Sequence, residues 1–397
     1  MSLRSRSGRS WGRLDMKSEW TKRSISDIAE VNPRESISKG SLAKKIPMDV
    51  LRIFTRDVSS YQMEEFKGGA KFRNMDTIMA RITPCLENGK TAQVRCLDNG
   101  EVGFGSTEYI VFRAKEGTDP DYLYYLICSP LVRVPAIKSM VGSSGRQRVQ
   151  TDVVANLQIA VPNYEEQVKI GGLLKTLDDK IQLNTEINKN LSEQLQVLYS
   201  SKFDPYVHTA SAMLSEICHY STDKINVDKL STKTYYSTEN MQPNKISAIE
   251  ASSLPSIKQT TRCHKGDVLV SNIRPYFKKI EYVTEDCGCS TDVLCFVPES
   301  KEMSAYLYET LYSDRFFDYM VAGSKGTKMP RGDKQQIMQY RIVIPSPKQL
   351  TLFNSAATPM LALIANTVLE SERLSVLRDS LLPKLMSGEI DVSDIDL

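Results

Sequence analysis

Residues 164–202 read YEEQVKIGGLLKTLDDKIQLNTEINKNLSEQLQVLYSSK. The stretch holds no proline, and glycine occurs only at 171 and 172. Leu173, Leu177, Ile181, Ile187, Leu191, Leu195 and Leu198 recur at three- and four-residue steps or multiples of them. A mean spacing of about 3.5 residues is the heptad signature of a helix that packs along another helix. Asn184 and Asn188 fall on or beside this seam, where a buried amide fixes register at a cost in stability. A second segment, residues 347–386, carries Leu361, Ile364, Val368, Leu374, Leu377, Leu381 and Leu385 on one face. Pro383 is expected to kink that helix or end it nearby. Two antiparallel helices of one chain would bury each other's seams.

The regions between the helices have a different texture. Residues 24–162 and 212–345 hold short, partly alternating pieces such as 78–82, 92–95 and 109–112, separated by turn signals. One helix is expected among them, from about Asp121 to Ile137. The two halves repeat one another. Arg81-Ile82-Thr83-Pro84 matches Asn272-Ile273-Arg274-Pro275, and Ser106-Thr107-Glu108 through Phe112 matches Ser290-Thr291-Asp292 through Phe296. Gly142-Ser143-Ser144-Gly145 matches Gly323-Ser324-Lys325-Gly326, and Ile159-Ala160-Val161-Pro162 matches Ile342-Val343-Ile344-Pro345. Four matches in the same order indicate a tandem duplication of a globular domain followed by a long helix.

Composition bounds what such a protein does. At roughly 100–200 residues per domain, 397 residues imply two to four domains. An apolar fraction of 41% and a charged fraction of 25% exclude global disorder. No run approaches 18 apolar residues, so no transmembrane helix is expected. A net charge of +3 excludes a polybasic protein but allows local basic faces. The eight cysteines include no C-x-x-C pair and are too sparse for a disulfide scaffold, which suits a reducing cytoplasm. The first 15 residues, MSLRSRSGRSWGRLD, are Arg/Ser-rich without an apolar segment, so they are no secretory signal. Residues 1–16 are expected to be a disordered basic extension, with Met16 the more natural start.

Catalytic motifs are missing. Gly89-Lys90-Thr91 resembles the end of a phosphate-binding loop but lacks the glycine five residues upstream. Asp119-Pro120-Asp121-Tyr122 is similar to an adenine methyltransferase box without its second proline, and reads better as a helix start capped by Asp119. His208, His219 and His264 lie in no nucleophile motif. Cys263, His264, Cys287 and Cys289 could hold zinc in principle, but Cys287-Gly288-Cys289 is tighter than the usual knuckle. Reduced, partly buried thiols are the better expectation, and no metal site is assigned.

The basic residues point elsewhere. In the first half they are Lys71 and Arg73 before a strand, Arg81, and the loop Arg146, Gln147 and Arg148. In the second half they are Arg274, Lys278 and Lys279 around Tyr276 and Phe277, then Lys325, Lys328 and Arg331. A glycine-bearing loop with cations approaches phosphates closely, and Arg or Gln reads base edges in the major groove. One such loop is ordinary surface; equivalent loops in both repeats point to DNA. Thirty-five helical residues would span about 52 Å, and one turn of B-DNA is about 34–36 Å. A spacer of that length suits two readers about a turn apart.

The helical motifs carry a family resemblance. Ile159-Ala160-Val161-Pro162, Glu165-Glu166-Gln167-Val168-Lys169-Ile170, Leu177-Asp178-Asp179-Lys180-Ile181 and Asn188-Lys189-Asn190-Leu191 resemble the central conserved region of type I restriction-modification specificity subunits. Leu381-Leu382-Pro383-Lys384-Leu385-Met386-Ser387-Gly388-Glu389-Ile390 is similar to the family's ending. Pro345-Ser346-Pro347-Lys348-Gln349 departs from the pattern, lacking the Glu-Glu pair.

The resemblance implies an α+β fold with two mixed α/β target-recognition domains, at 17–162 and 204–345. Each is followed by a conserved helix, at 163–203 and 346–390, and the two helices form an antiparallel coiled coil. Residues 391–397 are left as an acidic tail, expected to lie loose. The resemblance also implies a cytoplasmic, non-catalytic subunit that binds double-stranded DNA, each domain reading half of a bipartite site. Modification subunits, two of them, would dock on the helices and bind S-adenosylmethionine. Restriction subunits would bring ATP and magnesium, and this chain would bind no cofactor itself. The competing readings are an orphan specificity-like protein and a coiled-coil scaffold. The scaffold leaves the paired basic loops unexplained.

Overall fold

The computed structural model describes residues 20–204, 208–209, 211–393 and 395, so the extension expected over residues 1–16 lies outside the described residues. The chain divides into two units, one of residues 1–182 with 372–397 and one of residues 183–371. In the first unit the strands are β1 (Thr21–Ser24), β2 (Ala29–Val31), β3 (Leu42–Ile46), β4 (Gln62–Glu65), β5 (Lys71–Phe72), β6 (Thr77–Ala80), β7 (Thr91–Gln93), β8 (Gly103–Gly105), β9 (Tyr109–Ala114) and β10 (Gln158–Val161). The helices are α1 (Ile25–Ile28), α2 (Pro120–Cys128), α3 (Pro130–Lys138) and α4 (Thr151–Ala155), and then α5 (Tyr164–Phe203) begins. The strands make two four-stranded sheets, β2-β9-β6-β7 and β4-β3-β8-β5, and the ribbon β1-β10.

The central strands β6 and β9 carry apolar runs, 78–80 and 109–112, because both their faces are covered. Along β9, Tyr109 and Val111 join the core between the two sheets, while Ile110 and Phe112 join the core against the helices. Ile78 and Met79 of β6 divide in the same way, as the two-residue period of a strand requires.

The second unit repeats this plan. Its strands are β11 (Ala212–Met213), β12 (Cys218–Tyr220), β13 (Lys224–Asn226), β14 (Tyr235–Tyr236), β15 (Gln259–Cys263), β16 (Val268–Ser271), β17 (Ile280–Tyr282), β18 (Cys287–Cys289), β19 (Val293–Pro298) and β20 (Arg341–Ile342). Its helices are α6 (Ser304–Tyr312), α7 (Asp314–Ala322), α8 (Lys334–Ile337) and α9 (Pro347–Met386). The sheet β12-β19-β16-β17 copies β2-β9-β6-β7, and β11-β20 copies β1-β10. The other sheet has diverged. Its centre is conserved, with β8 or β18 flanked by one parallel and one antiparallel neighbour. The fourth strand lies beside the parallel neighbour in the first unit and beside the antiparallel one in the second.

The helix expected from Asp121 to Ile137 is two helices. Ser129 is extended (ψ 156°) and Pro130 opens the next helix, so the chain turns between them. Asp119 does cap α2, accepting from the Tyr122 amide at 2.7 Å.

Both long helices have 40 residues. Within each unit they run antiparallel. In the second, Phe203 packs on Phe353 and Asn184 donates to Glu370 and Ser371. In the first, Asp178 grips Arg378. The seam is not quite the leucine row expected. Ile170, Leu174, Asp178, Asn184, Leu195, Tyr199 and Phe203 are buried, whereas Leu173 and Leu177 are half-buried. A polar residue is buried wherever the opposite helix supplies a partner, and periodicity of leucine alone misses such positions. The missing Glu-Glu pair at the start of α9 does no harm locally. The Ser346 amide donates to Gln349 Oε1 at 2.9 Å, and Ser346 Oγ accepts from the Gln349 amide, which closes a capping box.

By length and composition α9 could cross a membrane, with a mean hydropathy of 1.4 over one window. No charged residue lies between Lys348 and Glu370. Hydropathy averages over interspersed Ser, Thr and Asn, so the helix passes a test that a count of unbroken apolar residues does not. Its Phe353, Ala357 and Leu361 are buried in the second unit's core. The tail is also a correction. Val392 is fully buried, Ile390 and Ile395 pack on the first unit's core, and Lys169 donates to the Ser393 carbonyl. Val392 and Ile395, set among the acids, give the tail an apolar side that packs on this core.

Glu309 of α6 is buried, with Gln196 Nε2 donating to its carboxylate at 2.5 Å. Burial pushes its carboxyl up to about 8, against that hydrogen bond. At pH values below the ordinary 4.5, folded and unfolded chains both hold this proton. As pH rises the unfolded chain releases it first, so this group's contribution to stability falls from there to about 8. The Glu309→Gln variant is expected to lose that descending limb, and urea melts at acidic and mildly alkaline pH would show it.

Candidate nucleic-acid interface

In each unit the chain leaves the central strand (β6 or β16) and meets a basic loop that closes on itself. In the first unit, Val141 and Arg148 exchange backbone hydrogen bonds of 3.0 and 2.9 Å. In the second, Lys325 and Arg331 do so at 2.9 and 3.0 Å. Isolated bridges then join Ile82 to Arg148 and Ile273 to Arg331. The amide of Thr83 donates to the Gln147 carbonyl, and that of Arg274 to the Pro330 carbonyl. The amide of Arg81 donates to the Glu108 carbonyl, and that of Asn272 to the Asp292 carbonyl. The two loops therefore correspond bond by bond. This corrects one detail of the repeat: Gly142 corresponds to Gly326, not to Gly323. Both follow the closing residue and both take positive φ, 134° and 101°.

One arginine of each loop meets a carboxylate. Arg148 donates to Glu108 through Nε at 3.0 Å and Nη2 at 2.7 Å, and Arg81 Nε reaches the same carboxylate at 3.2 Å. Arg331 Nη2 lies 3.1 Å from Asp292 Oδ1. Hydrogen bonds from Arg148, opposed by burial and seconded by Arg81, hold the Glu108 carboxyl below its ordinary value. Both acids belong to the repeated Ser-Thr-acid segment, which signalled the duplication but not this pairing.

The other candidate residues are placed variously. Arg146 and Lys328 are exposed, and no ion pair of theirs is found among the described residues. Gln147 is half-buried. Lys325 Nζ bonds Asp333 at 2.6 Å. Lys71 and Arg73 belong to a different cluster. Lys71 donates to the Glu35 carbonyl, and Arg73 pairs with the Glu35 carboxylate, which Arg113 shares with Asp76. Arg73 precedes β6 and Arg81 follows it, so the strand itself keeps them apart. Lys278 pairs with Asp314. Lys279 donates to the Thr238 carbonyl, and burial pulls its ammonium below the ordinary value.

Arg274 and Lys278 are both left-handed, at φ 51° and 52°. For non-glycine residues this costs on the order of 1–3 kcal/mol each. Between them Tyr276 and Phe277 are exposed with ring centroids 4.7 Å apart. The corresponding turn of the first unit, Thr83-Pro84-Cys85, carries no aromatic residue. All eight cysteines are free, and Cys263, Cys287 and Cys289 are fully buried. Among the described residues no three His, Cys, Asp or Glu are grouped to hold a metal ion.

A duplicated α/β unit with a basic hairpin loop in each copy, each copy leading into a long helix of an antiparallel pair, is a two-module protein in layout. Comparison with known proteins gives that layout relatives. Residues 17–193 match the type I restriction modification DNA specificity domain. The EcoAI specificity subunit of Escherichia coli is 29% identical over 218 residues, 53% of this chain and 34% of that subunit. The chain thus spans about a third of that relative's length. The HindI specificity subunit of Haemophilus influenzae is 21% identical over 94% of this chain and all of that subunit. The S subunit structure from M. genitalium shares the fold, with a TM-score of 0.56 at 16% identity over 94% of this chain and 97% of that one. Over residues 17–193 the chain is thus similar to type I restriction-modification specificity subunits.

Proposed function

We propose that this chain is the non-catalytic DNA-specificity subunit of a type I restriction-modification complex. Each globular unit reads one half of a bipartite duplex site through the loop at 141–149 or 325–332. The observation that carries this reading is the bond-by-bond correspondence of the two loops, for which a scaffold has no use. The long helices dock two modification subunits that bring S-adenosylmethionine. Leu352 and Leu363, both exposed, lie on one face of α9 in a stretch without charge and support docking there. Restriction subunits bring ATP and magnesium, and the assembly works in the cytoplasm.

A long-read methylome tests this directly. Cells expressing the chain with its neighbouring modification subunit are expected to carry N6-methyladenine in a new bipartite motif, absent when the chain is omitted. Unchanged methylation despite soluble co-expression would sink the proposal. A matched deletion of one heptad from each helix, residues 185–191 and 364–370, shortens both by about 10 Å. The motif's spacer is expected to lose about three base pairs at roughly 3.4 Å each, with both half-site sequences kept. An unchanged spacer would show that the helices do not set the spacing.

A further inference from the structure

The carboxylate beside each loop arginine has a consequence for what the loops touch. A loop built to clamp phosphates has no use for an acid at its base, because that acid repels the backbone it should hold. Both units nonetheless place one there, and at corresponding positions. Glu108 and Asp292 each begin a central strand's segment, and each carbonyl accepts the amide of the residue that follows the neighbouring strand. Arg148 meets Glu108 side-on, through Nε and Nη2. That contact leaves Nη1 and the outer hydrogen of Nη2 for another acceptor pair. Two parallel N–H donors match the O6 and N7 acceptors of guanine in the major groove. The side chain is 44% exposed. Arg331 also meets its acid, with Nη2 3.1 Å from Asp292 Oδ1, and its side chain is 55% exposed.

Building on the proposed function, we infer that Arg148 and Arg331 are base-reading residues for one guanine in each half-site, and that Glu108 and Asp292 are the positioning residues that aim them. The acid makes the arginine rigid before binding, so less side-chain freedom is lost when the base is met. It also screens the guanidinium's charge, which lowers its value to a phosphate and leaves hydrogen-bond geometry as its main asset. The unpaired Arg146 and Lys328 on the same loops remain available to the backbone. The first unit differs from the second in one respect. Arg81 adds a second cation to Glu108, and the corresponding Asn272 adds none to Asp292. The aim of Arg331 therefore depends on its acid alone.

The test uses the full chain assembled with its modification subunit, selecting from a pool of randomised duplexes. The wild-type complex is expected to enrich a bipartite motif with a G·C pair in each half. Glu108→Gln should reduce discrimination at one G·C pair of one half-site by roughly 10- to 100-fold, and Asp292→Asn should do so at one pair of the other. The preferences at the remaining positions should not move. Arg148→Lys and Arg331→Lys keep the charge and lose the fork. They should reduce discrimination at those same pairs, whereas a phosphate contact would tolerate the exchange. Three results would overturn the inference: an unchanged motif in Glu108→Gln, a uniform loss at all positions with a shallower salt slope, or a wild-type motif without guanine. Thermal melts of each complex separate misaiming from unfolding. If Glu108→Gln lowers the melting temperature as much as it lowers binding, the acid only pins the loop. Failure of the wild-type complex to enrich any motif is a different result, and it rejects the DNA-reading proposal itself.

Discussion

Asp178→Ala is expected to lower the unfolding free energy by about 3–5 kcal/mol, the usual cost of stripping one partner from a buried ion pair. Asp178 lies on α5 with 5% of its side chain exposed, and Arg378 on α9 with 9%. Arg378 Nη1 donates to Asp178 Oδ1 at 2.6 Å, and the Tyr125 hydroxyl donates to Oδ2 at 2.6 Å. Alanine leaves a buried guanidinium whose other carboxylate partner is the exposed Asp379, and a buried phenol without its acceptor. Urea unfolding of the purified chain measures the loss. Asp178→Asn keeps the shape and one acceptor oxygen and should lose less. If alanine cost under about 1 kcal/mol, the pair would be no anchor. The neighbouring Asp179 does separate work. It accepts from Arg56 Nη2 at 2.6 Å and Lys175 Nζ at 2.7 Å, tying the loop that carries Arg56 to α5. Leu177-Asp178-Asp179 is thus a helix motif whose two acids face two different elements.

The second large effect concerns half-site independence. Arg146→Ala/Arg148→Ala is expected to impair recognition of one half-site by roughly 1–3 kcal/mol, and Lys328→Ala/Arg331→Ala that of the other by as much. The loops belong to different compact units, each with its own core, so neither pair of substitutions should reach the other half. Anisotropy titrations with duplexes carrying one intact half-site would show this. Normal binding by both double variants would remove these loops from the interface. Binding by the parent should also weaken steeply with salt.

Much of this was legible in the chain itself. Helices of this length follow from apolar residues at heptad spacing without proline, because local periodicity and propensity act within a few residues. The duplication was legible because corresponding turns and strand starts kept their residues. The resemblance was legible in the helices because their motifs are local. Other features were not. Leu177 looked like seam and is half-buried, while Asp178 is buried, because Arg378 stands 200 residues away. The tail looked loose until Val392 found the core of the first unit. The loop cations formed a plausible list, but only the fold separates Arg73, paired with Glu35, from Arg148, paired with Glu108 across 40 residues. Sequence alone determined the elements and their repetition, since these depend on neighbours in the chain. Tertiary structure alone decided which charges are spent on internal partners and which face outward, because a carboxylate quenches a cation over a few ångströms of space whatever their separation in sequence.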